Sequence, residues 1–458
     1  MPARIVGVID IGKSNAKFAV VDLDAHAEID VRKTPNRVQQ TALYPHYDIH
    51  GLWDFIRDSI ADLNRLHPLD ALCVTTHGAS AALVDAAGDL ALPVLDYEYA
   101  GPDSVRAEYD AVRPDFSESF TPRLPAGLNL GAQLFWQQKS FPGEFARTRW
   151  IMPYPQYWGF RLTGVPASEL TSLGCHTDLW NFETDLYSSL VFRQGWLDRM
   201  PEVKPASEVL GLVHPELGQQ LGLRPRTPVH VGIHDSNASL LPHLLDHQPP
   251  FAVVSTGTWV IATAPGGSLA TLDPARDCLA NIDALGRPVP SARFMGGREY
   301  QQLVGEHPPA HVGDAAIARV LDDPIILHPS VTAGSGPFPD RKSHWNVPAH
   351  TLDDETRFVA ISFYLAMMTA ECLELAGADG NTVIEGPFAT NRLFAEMLAA
   401  ATGRPVESMT SSQTGTSIGA ALLARMQPAR TRGTVVPVSS AARFAGYAAK
   451  WRAAVAKG

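Results

Sequence analysis

The residues best placed to do chemistry lie at mid-chain, in Val231-Gly232-Ile233-His234-Asp235-Ser236-Asn237. Pro228 to Gly232 reads as a short strand, so Asp235 follows a strand end. A carboxylate there can take the proton from a substrate hydroxyl while that hydroxyl attacks the terminal phosphate of ATP. His234, its neighbour, is a candidate substrate contact. The plainer reading of Asp235 is a carboxylate capping the helix that follows.

Two polar glycine turns could hold the phosphates. The first lies between the strand-like runs Ile5 to Asp10 and Phe18 to Leu23. Backbone N–H groups of such a turn converge on an anion, and Gly12, Lys13, Ser14, Asn15 and Lys17 supply further donors. Asp10, at the strand end, is placed to hold Mg²⁺ directly or through water. Gly7, Gly12, Lys13 and Ser14 also satisfy the P-loop pattern, but that loop must wrap phosphate and open a helix. Here Val8-Ile9-Asp10-Ile11 is strand-like and another strand follows, which argues against it. The second turn, Ser255-Thr256-Gly257-Thr258, lies between Phe251-Ala252-Val253-Val254 and Trp259-Val260-Ile261-Ala262. It repeats the first without the lysines and adds Thr256, Gly257 and Thr258 to the candidate phosphate contacts.

Ligands of open α/β sheets bind beyond the carboxyl ends of strands. That singles out Thr76-His77-Gly78 after the strand Ala71 to Thr75, and Asp96-Tyr97-Glu98 after Pro93-Val94-Leu95, as substrate contacts. The plainer reading of His77 is a satisfied, partly buried histidine. Gln133, beside Leu134-Phe135-Trp136, is a further candidate substrate contact. The aromatics Tyr154, Tyr157, Trp158 and Phe160 favour core over a sugar platform, and Thr171 to Asp178 reads as a polar surface connection near the site. In the second half the strand Thr382 to Glu385 empties into Gly386-Pro387-Phe388, and Asn391 caps a helix to about Thr402. Gly386 lets the backbone approach adenine or ribose closely, and Gly386, Pro387 and Asn391 complete the candidate nucleotide contacts.

These residues need a frame. Leu52, Ile56, Ile60 and Leu63 recur at helical spacing within Asp48 to Leu66. Asp354 to Ala376 predicts a long helix with one apolar face. Pro242 interrupts an apolar run after Ser239, and Asp246-His247-Gln248-Pro249-Pro250 is the clearest linker. The expected divisions are residues 1–247, 248–427 and a peripheral tail, 428–458. Residues 263–350 read as loop-rich. The pattern predicts an α/β chain of two domains, each opening with strand, glycine turn, strand.

Composition narrows the classes. A length of 458 residues with 45 % hydrophobic content suits two cores. The net charge of -11 argues against nucleic-acid binding as the main task. Four cysteines lie scattered without a CxxC pair, as expected in a reducing compartment. Met1 to Arg4 runs straight into a strand pattern, and no apolar run approaches the roughly 18 residues of a membrane helix. A cytoplasmic location, no membrane association and a monomer or homodimer are expected.

The order of motifs resembles the FGGY carbohydrate kinases, within the actin/sugar-kinase/Hsp70 superfamily, over about residues 4 to 425. Asp10-Ile11-Gly12-Lys13-Ser14-Asn15-Ala16-Lys17 is similar to the family's first phosphate motif and Ser255-Thr256-Gly257-Thr258-Trp259 to its second. Thr75-Thr76-His77-Gly78 is similar to its sugar-contacting segment. Gly232-Ile233-His234-Asp235-Ser236-Asn237 is similar to the segment carrying its catalytic aspartate. Glu385 to Asn391, followed by Gly403-Arg404-Pro405-Val406, is similar to its adenosine motif. Three departures stand out: Gly386-Pro387-Phe388 replaces three glycines, Lys13 replaces threonine, and only Gln133 and Trp136 remain of the middle signature. The His-Asp pair and the second turn look closest to the rhamnulokinase and fuculokinase branch. The resemblance implies two actin-like (ribonuclease H-like) domains with a nucleotide and sugar cleft between them. It also implies ATP and Mg²⁺ as cofactors and a small sugar, a ketose or polyol, as partner. Rival readings are an actin- or Hsp70-like ATPase gating a protein partner and a degenerate kinase that only binds sugar.

Overall fold

A computed structural model describes residues 3–305, 308–410, 415–429, 433–437 and 441–457. The chain divides into two compact units. One comprises Met1–Asp246, Ala280–Pro288 and Ser412–Thr431; the other comprises His247–Leu279, Val289–Ser411 and Arg432–Gly458.

In the first unit Ile5–Ile11 is buried from Val6 onward, so it needs neighbours on both edges and cover on both faces. It runs antiparallel to Asn15–Asp22, from Ile5 opposite Asp22 to Ile11 opposite Ala16. On its other edge lies Ala71–Thr76, parallel. The sheet order is Val209–Leu212, Pro228–His230, Ala71–Thr76, Ile5–Ile11, Asn15–Asp22, Ala27–Pro35, with Ile233–His234 also pairing Ala71–Thr76. Gly7 to Ser14 is therefore strand and hairpin, as expected, and no P-loop helix follows. The helix Ile49–Leu66 is capped by Asp48, which accepts from the Gly51 N–H at 3.0 Å. It buries Leu52, Ile56, Ile60 and Leu63 on one face.

Pro242 does not stop the helix after the candidate base, which runs Asp235–Asp246. Proline removes the N–H that would reach the Ala238 carbonyl. That oxygen is met instead by the helix Thr416–Leu422, where a Cβ on Gly419 would stand 1.7 Å from it. Only glycine permits this approach, and the missing proline donor leaves the carbonyl open to it.

The second unit repeats the arrangement. Phe251–Thr256 pairs antiparallel with Val260–Thr263 and parallel with Asn381–Glu385. Pro288–Phe294 extends the sheet beyond Val260–Thr263, and Val406–Ser408 and Thr434–Val435 extend the opposite edge. Asp354–Leu375 begins at Asp353, whose carboxylate accepts from the Thr356 N–H at 2.8 Å. It is buried on nearly all sides rather than along one face. By length and composition it could cross a membrane, against the expectation that no apolar run comes near, yet 83 % of its apolar window is packed inside the unit. A helix apolar all round is the core helix of a domain as readily as a membrane span.

Two further expectations are corrected. The loop-rich region holds the strand Pro288–Phe294 and the helices Gly296–Val304 and Asp314–Asp322. The tail is not peripheral: Ala441–Lys457 is a helix that buries Phe444, Tyr447, Trp451 and Val455 in the second unit's core. The Tyr447 hydroxyl donates to the Ile325 carbonyl at 2.9 Å and the Trp451 indole N–H to the Leu327 carbonyl at 3.1 Å. All four cysteines are buried, and none is in a disulfide.

Candidate active site

Asp235 opens its helix beside the two-residue strand Ile233–His234. Its Oδ1 accepts from the Ser236 N–H at 2.7 Å and lies 3.2 Å from His234 Nε2. A capping carboxylate would accept from N–H groups two or three residues on, and this one accepts from the next residue. Its Oδ2 has no hydrogen-bond partner among the described residues. Solvent reaches 31 % of the side chain. Protein crowds the remainder closely enough for burial to raise its proton affinity, against the pull of His77 and of the Ser236 N–H. The result is one fixed oxygen and one open oxygen on a carboxylate more basic than usual.

His77 and His234 lie close by, both buried. The Nδ1 of His77 lies 2.8 Å from the Gly78 carbonyl. A carbonyl can only accept, so Nδ1 carries the hydrogen and Nε2, buried without a partner, is an acceptor. Burial holds both histidines neutral, pushing each down to about 4. Tyr47, Tyr97 and Tyr154 pack around the His77 ring at centroid distances of 5.1, 5.3 and 5.2 Å.

Lys13 is drawn away from the turn that carries it. Its ammonium is paired with Asp96, lies 3.4 Å from Glu98, and sits over the rings of Tyr47 and Tyr97 at 5.3 and 4.9 Å. A candidate phosphate contact and a candidate substrate contact thus neutralise each other. Ser14 and Asn15 remain exposed at the hairpin tip, where Gly12 N–H donates to the Asn15 carbonyl at 2.9 Å. Thr76 is fully buried, its hydroxyl on the His77 carbonyl at 2.9 Å. The Gln133 amide is occupied by the carbonyls of Ala79 and Gly127.

Asp10 is 8 % exposed, accepts from the Ser417 hydroxyl at 3.1 Å and lies 3.5 Å from Lys17, which also pairs with Glu28 at 2.8 Å. Burial pushes its carboxyl up to about 6, Lys17 opposing and the Asp235 charge adding to the rise. Two carboxylates that repel one another suit a divalent cation. Mg²⁺ sites commonly use one or two carboxylates, with water and phosphate oxygens completing the shell. No cluster of three or more metal-binding side chains occurs among the described residues.

The stretch Thr171 to Asp178 is not a surface connection: Thr171, Thr177 and Asp178 are fully buried. Its polar groups are satisfied internally. Asp178 takes Arg113 at 2.9 Å, the Tyr109 hydroxyl at 2.6 Å and the Ser119 hydroxyl at 3.2 Å. Glu169 accepts from the N–H and hydroxyl of Thr171 at 2.8 and 2.6 Å, and the Thr171 hydroxyl accepts from the His234 N–H at 3.0 Å. This relay fixes the backbone just before Asp235. It joins residues far apart in sequence, so no local pattern marks it.

In the second unit the Ser255 to Thr258 turn is exposed except at Thr256, which is buried. The Thr256 hydroxyl accepts from the Phe388 N–H at 3.0 Å. Gly386 has φ 81 and ψ -162, and a Cβ there would stand 2.1 Å from the Thr256 carbonyl oxygen. Pro387 opens a 3-10 turn, and the Phe388 ring is buried against Tyr300 and Phe394 at 5.6 and 5.2 Å. Its bulk therefore goes into the wall. Asn391 caps the helix Arg392–Thr402 through the Phe394 N–H at 3.1 Å and donates to the Ser362 hydroxyl at 3.0 Å, so both ends of its amide are engaged. An open cavity of about 1310 Å³ is lined here by Gly257, Thr258, Tyr300, Pro387, Phe388 and Asn391.

A strand–turn–strand hairpin in each unit, an aspartate with one open oxygen, and a glycine-floored cavity define a class. Residues 5–242 match the N-terminal domain of the FGGY family of carbohydrate kinases, and residues 248–432 match the FGGY carbohydrate kinase C-terminal domain. The chain belongs to that family, with its two-domain actin-like fold. Among solved structures, a carbohydrate kinase from Novosphingobium aromaticivorans is similar at a TM-score of 0.92, with 33 % identity and 100 % of both chains covered. A xylulose kinase from Brucella ovis shares the fold at a TM-score of 0.80, with 18 % identity and 99 % of both chains covered. Among curated relatives, L-fuculokinase of Escherichia coli K12 is 24 % identical over 277 residues, 57 % of this chain and 56 % of its own. A probable L-xylulose kinase of Pasteurella multocida is 24 % identical over 269 residues, 56 % of this chain and 54 % of its own. The chain spans about half the length of the curated relatives it matches.

Proposed function

We propose that the protein transfers the terminal phosphoryl group of ATP to a hydroxyl of a small ketose, with Asp235 as general base. The observation that carries this reading is the open Oδ2 of a carboxylate whose Oδ1 accepts from the Ser236 N–H and whose proton affinity burial has raised. A base of this kind contributes roughly 10²- to 10⁴-fold. The curated relatives' names, L-fuculokinase and probable L-xylulose kinase, favour a 6-deoxyketohexose or ketopentose and a primary hydroxyl.

The sugar lies at the strand ends that carry His77, Gly78, Asp96 and His234, and the nucleotide occupies the cavity lined by Gly257, Thr258, Pro387 and Asn391. Gly257 and Thr258 offer donors to its phosphates. Phosphoryl transfer asks the protein for alignment and charge neutralisation rather than covalent chemistry. Asp10, with Ser417 beside it, would hold Mg²⁺, which when bound neutralises charge on the phosphate oxygens.

The test is Asp235→Asn. The variant is expected to bind ATP and sugar nearly as the parent does and to lose at least about 100-fold in kcat. Retained turnover in a correctly folded variant would refute the base assignment.

A further inference from the structure

We infer that Lys13 works in the sugar site rather than on the phosphates. It is a positioning residue that fixes the Asp96 carboxylate to accept a hydrogen bond from a sugar hydroxyl other than the one phosphorylated. This rests on the kinase reading above, and the ligand class is a neutral ketose or polyol.

Asp96 has one oxygen engaged and one left to receive. Its backbone is tied down, its N–H donating to the Pro45 carbonyl at 3.0 Å and its carbonyl accepting from the Tyr99 N–H at 2.9 Å. Its Oδ1 takes the Lys13 ammonium, the Glu98 N–H at 3.2 Å and the Tyr47 hydroxyl at 3.5 Å. Its Oδ2 accepts from no group among the described residues, and solvent still reaches 11 % of the side chain. Three donors on one oxygen fix the direction of the other. An ionised carboxylate only accepts, so that second oxygen is a place for a hydroxyl donor.

Lys13 completes the arrangement and has little left for phosphate. Its ammonium also lies 3.4 Å from Glu98 and over the faces of Tyr47 and Tyr97, at 5.3 and 4.9 Å. Two carboxylates and two ring faces already hold the charge. To reach a phosphate it would have to leave Asp96, which is 8 % exposed, without a counter-ion, and a buried charge left alone is costly. Ser14 and Asn15 stay exposed at the hairpin tip, so the turn can meet phosphate without its lysine.

The neighbouring rings place the pair in the sugar site. Tyr47 and Tyr97 pack on His77 at centroid distances of 5.1 and 5.3 Å. Behind the larger effects of burial and of the Gly78 carbonyl, His77 feels both Asp235 and Lys13, in opposite directions. Burial first, then Glu98, Asp235 and Asp96, raise the proton affinity of the Tyr97 hydroxyl. The Lys13–Asp96 pair and the candidate base thus act on the same two rings. Two open carboxylate oxygens, one on Asp96 and one on Asp235, suit a ligand rich in hydroxyl donors.

The test uses the full chain with ATP and L-fuculose, L-xylulose, L-erythrulose or glycerol, followed by ADP release. Lys13→Met removes the charge at nearly constant length. On any sugar the parent turns over, it is expected to raise the sugar KM at least about tenfold, in keeping with a lost bond to a charged group. The KM for ATP is expected to hold within about twofold. Lys13→Arg keeps an ion pair and is expected to recover most of the loss. Asp96→Asn is expected to raise the sugar KM likewise. Combining Lys13→Met with Asp96→Asn is expected to raise it no further than Asp96→Asn alone, because the lysine acts through the carboxylate. The double variant leaves neither charge without its partner, so it keeps the test open should Lys13→Met not fold. A folded Lys13→Met whose KM for ATP rises, or whose kcat falls with the sugar KM unchanged, behaves as a lost phosphate ligand and overturns the inference. So does an unchanged sugar KM, or a double variant worse than Asp96→Asn by the full effect of Lys13→Met. Each of these leaves the kinase reading standing. A parent with no sugar-dependent ADP release on any of the four overturns that reading, and this inference with it.

Discussion

Gly386→Ala puts the nucleotide site to a steric test. Gly386 has φ 81 and ψ -162, a region essentially restricted to glycine, so a side chain there costs about 1–3 kcal/mol in backbone strain. A Cβ would also stand 2.1 Å from the Thr256 carbonyl oxygen. Restoring an ordinary contact moves the chains apart by about 1 Å, where Phe251–Thr256 and Asn381–Glu385 are still paired at Ser255 opposite Glu385. The buried bond from the Phe388 N–H to the Thr256 hydroxyl would go with it, for about 1–3 kcal/mol more. The expected loss is about 2–6 kcal/mol of stability in the second unit, with at least a tenfold rise in the KM for ATP. Gly164→Ala is the control: φ is 77, but nothing lies within 4 Å of the added carbon, so only the left-handed penalty of roughly 1–2 kcal/mol applies and ATP affinity is unchanged. Urea unfolding and initial rates over a range of ATP concentrations measure both. Equal destabilisation of the two variants, or a normal KM for ATP in Gly386→Ala, would refute the reasoning.

Trp451→Ala removes a fully buried indole and its bond to the Leu327 carbonyl, so a loss of about 3–5 kcal/mol is expected in urea unfolding; a shift below about 1 kcal/mol would return the helix to a peripheral role. Burial pushes Glu169 up to about 7 from an ordinary 4.5, against the bonds it accepts from Thr171 and Ser172. Raised in the folded state, this group contributes stability in full below pH 4.5 and loses it as pH rises to 7, up to about 3 kcal/mol. Glu169→Gln cannot titrate, so the parent's stability relative to that variant should fall between pH 4.5 and 7; a difference constant with pH would contradict this.

The paired hairpins were legible because Ile5 to Asp10 and Phe251 to Val254 are apolar runs bounded by glycine turns, a signal that depends on neighbours in sequence. The place of Asp235 after a strand was legible for the same reason. The C-terminal helix carried a readable signal that alanine-rich composition masked: Phe444, Tyr447, Trp451 and Val455 recur at helical spacing. The burial of Thr171 to Asp178 was not readable, because its polar residues are satisfied by Tyr109, Arg113 and Ser119, well away in sequence. Lys13 looked like a phosphate ligand by position in its turn; its pairing with Asp96, 83 residues on, is set by the fold. Nor does any local pattern connect Ser417 to Asp10, 407 residues before it.

That last separation bears on how the molecule is made. The first unit takes in residues from 412–431, and Gly419 closes against the Ala238 carbonyl. At ribosomal speeds of about 5–20 residues per second, the nascent sheet waits on the order of ten seconds or more before that helix emerges. Until then the groove along Asp235–Asp246 stays open, and the half that begins first is finished only after most of the other has been synthesised.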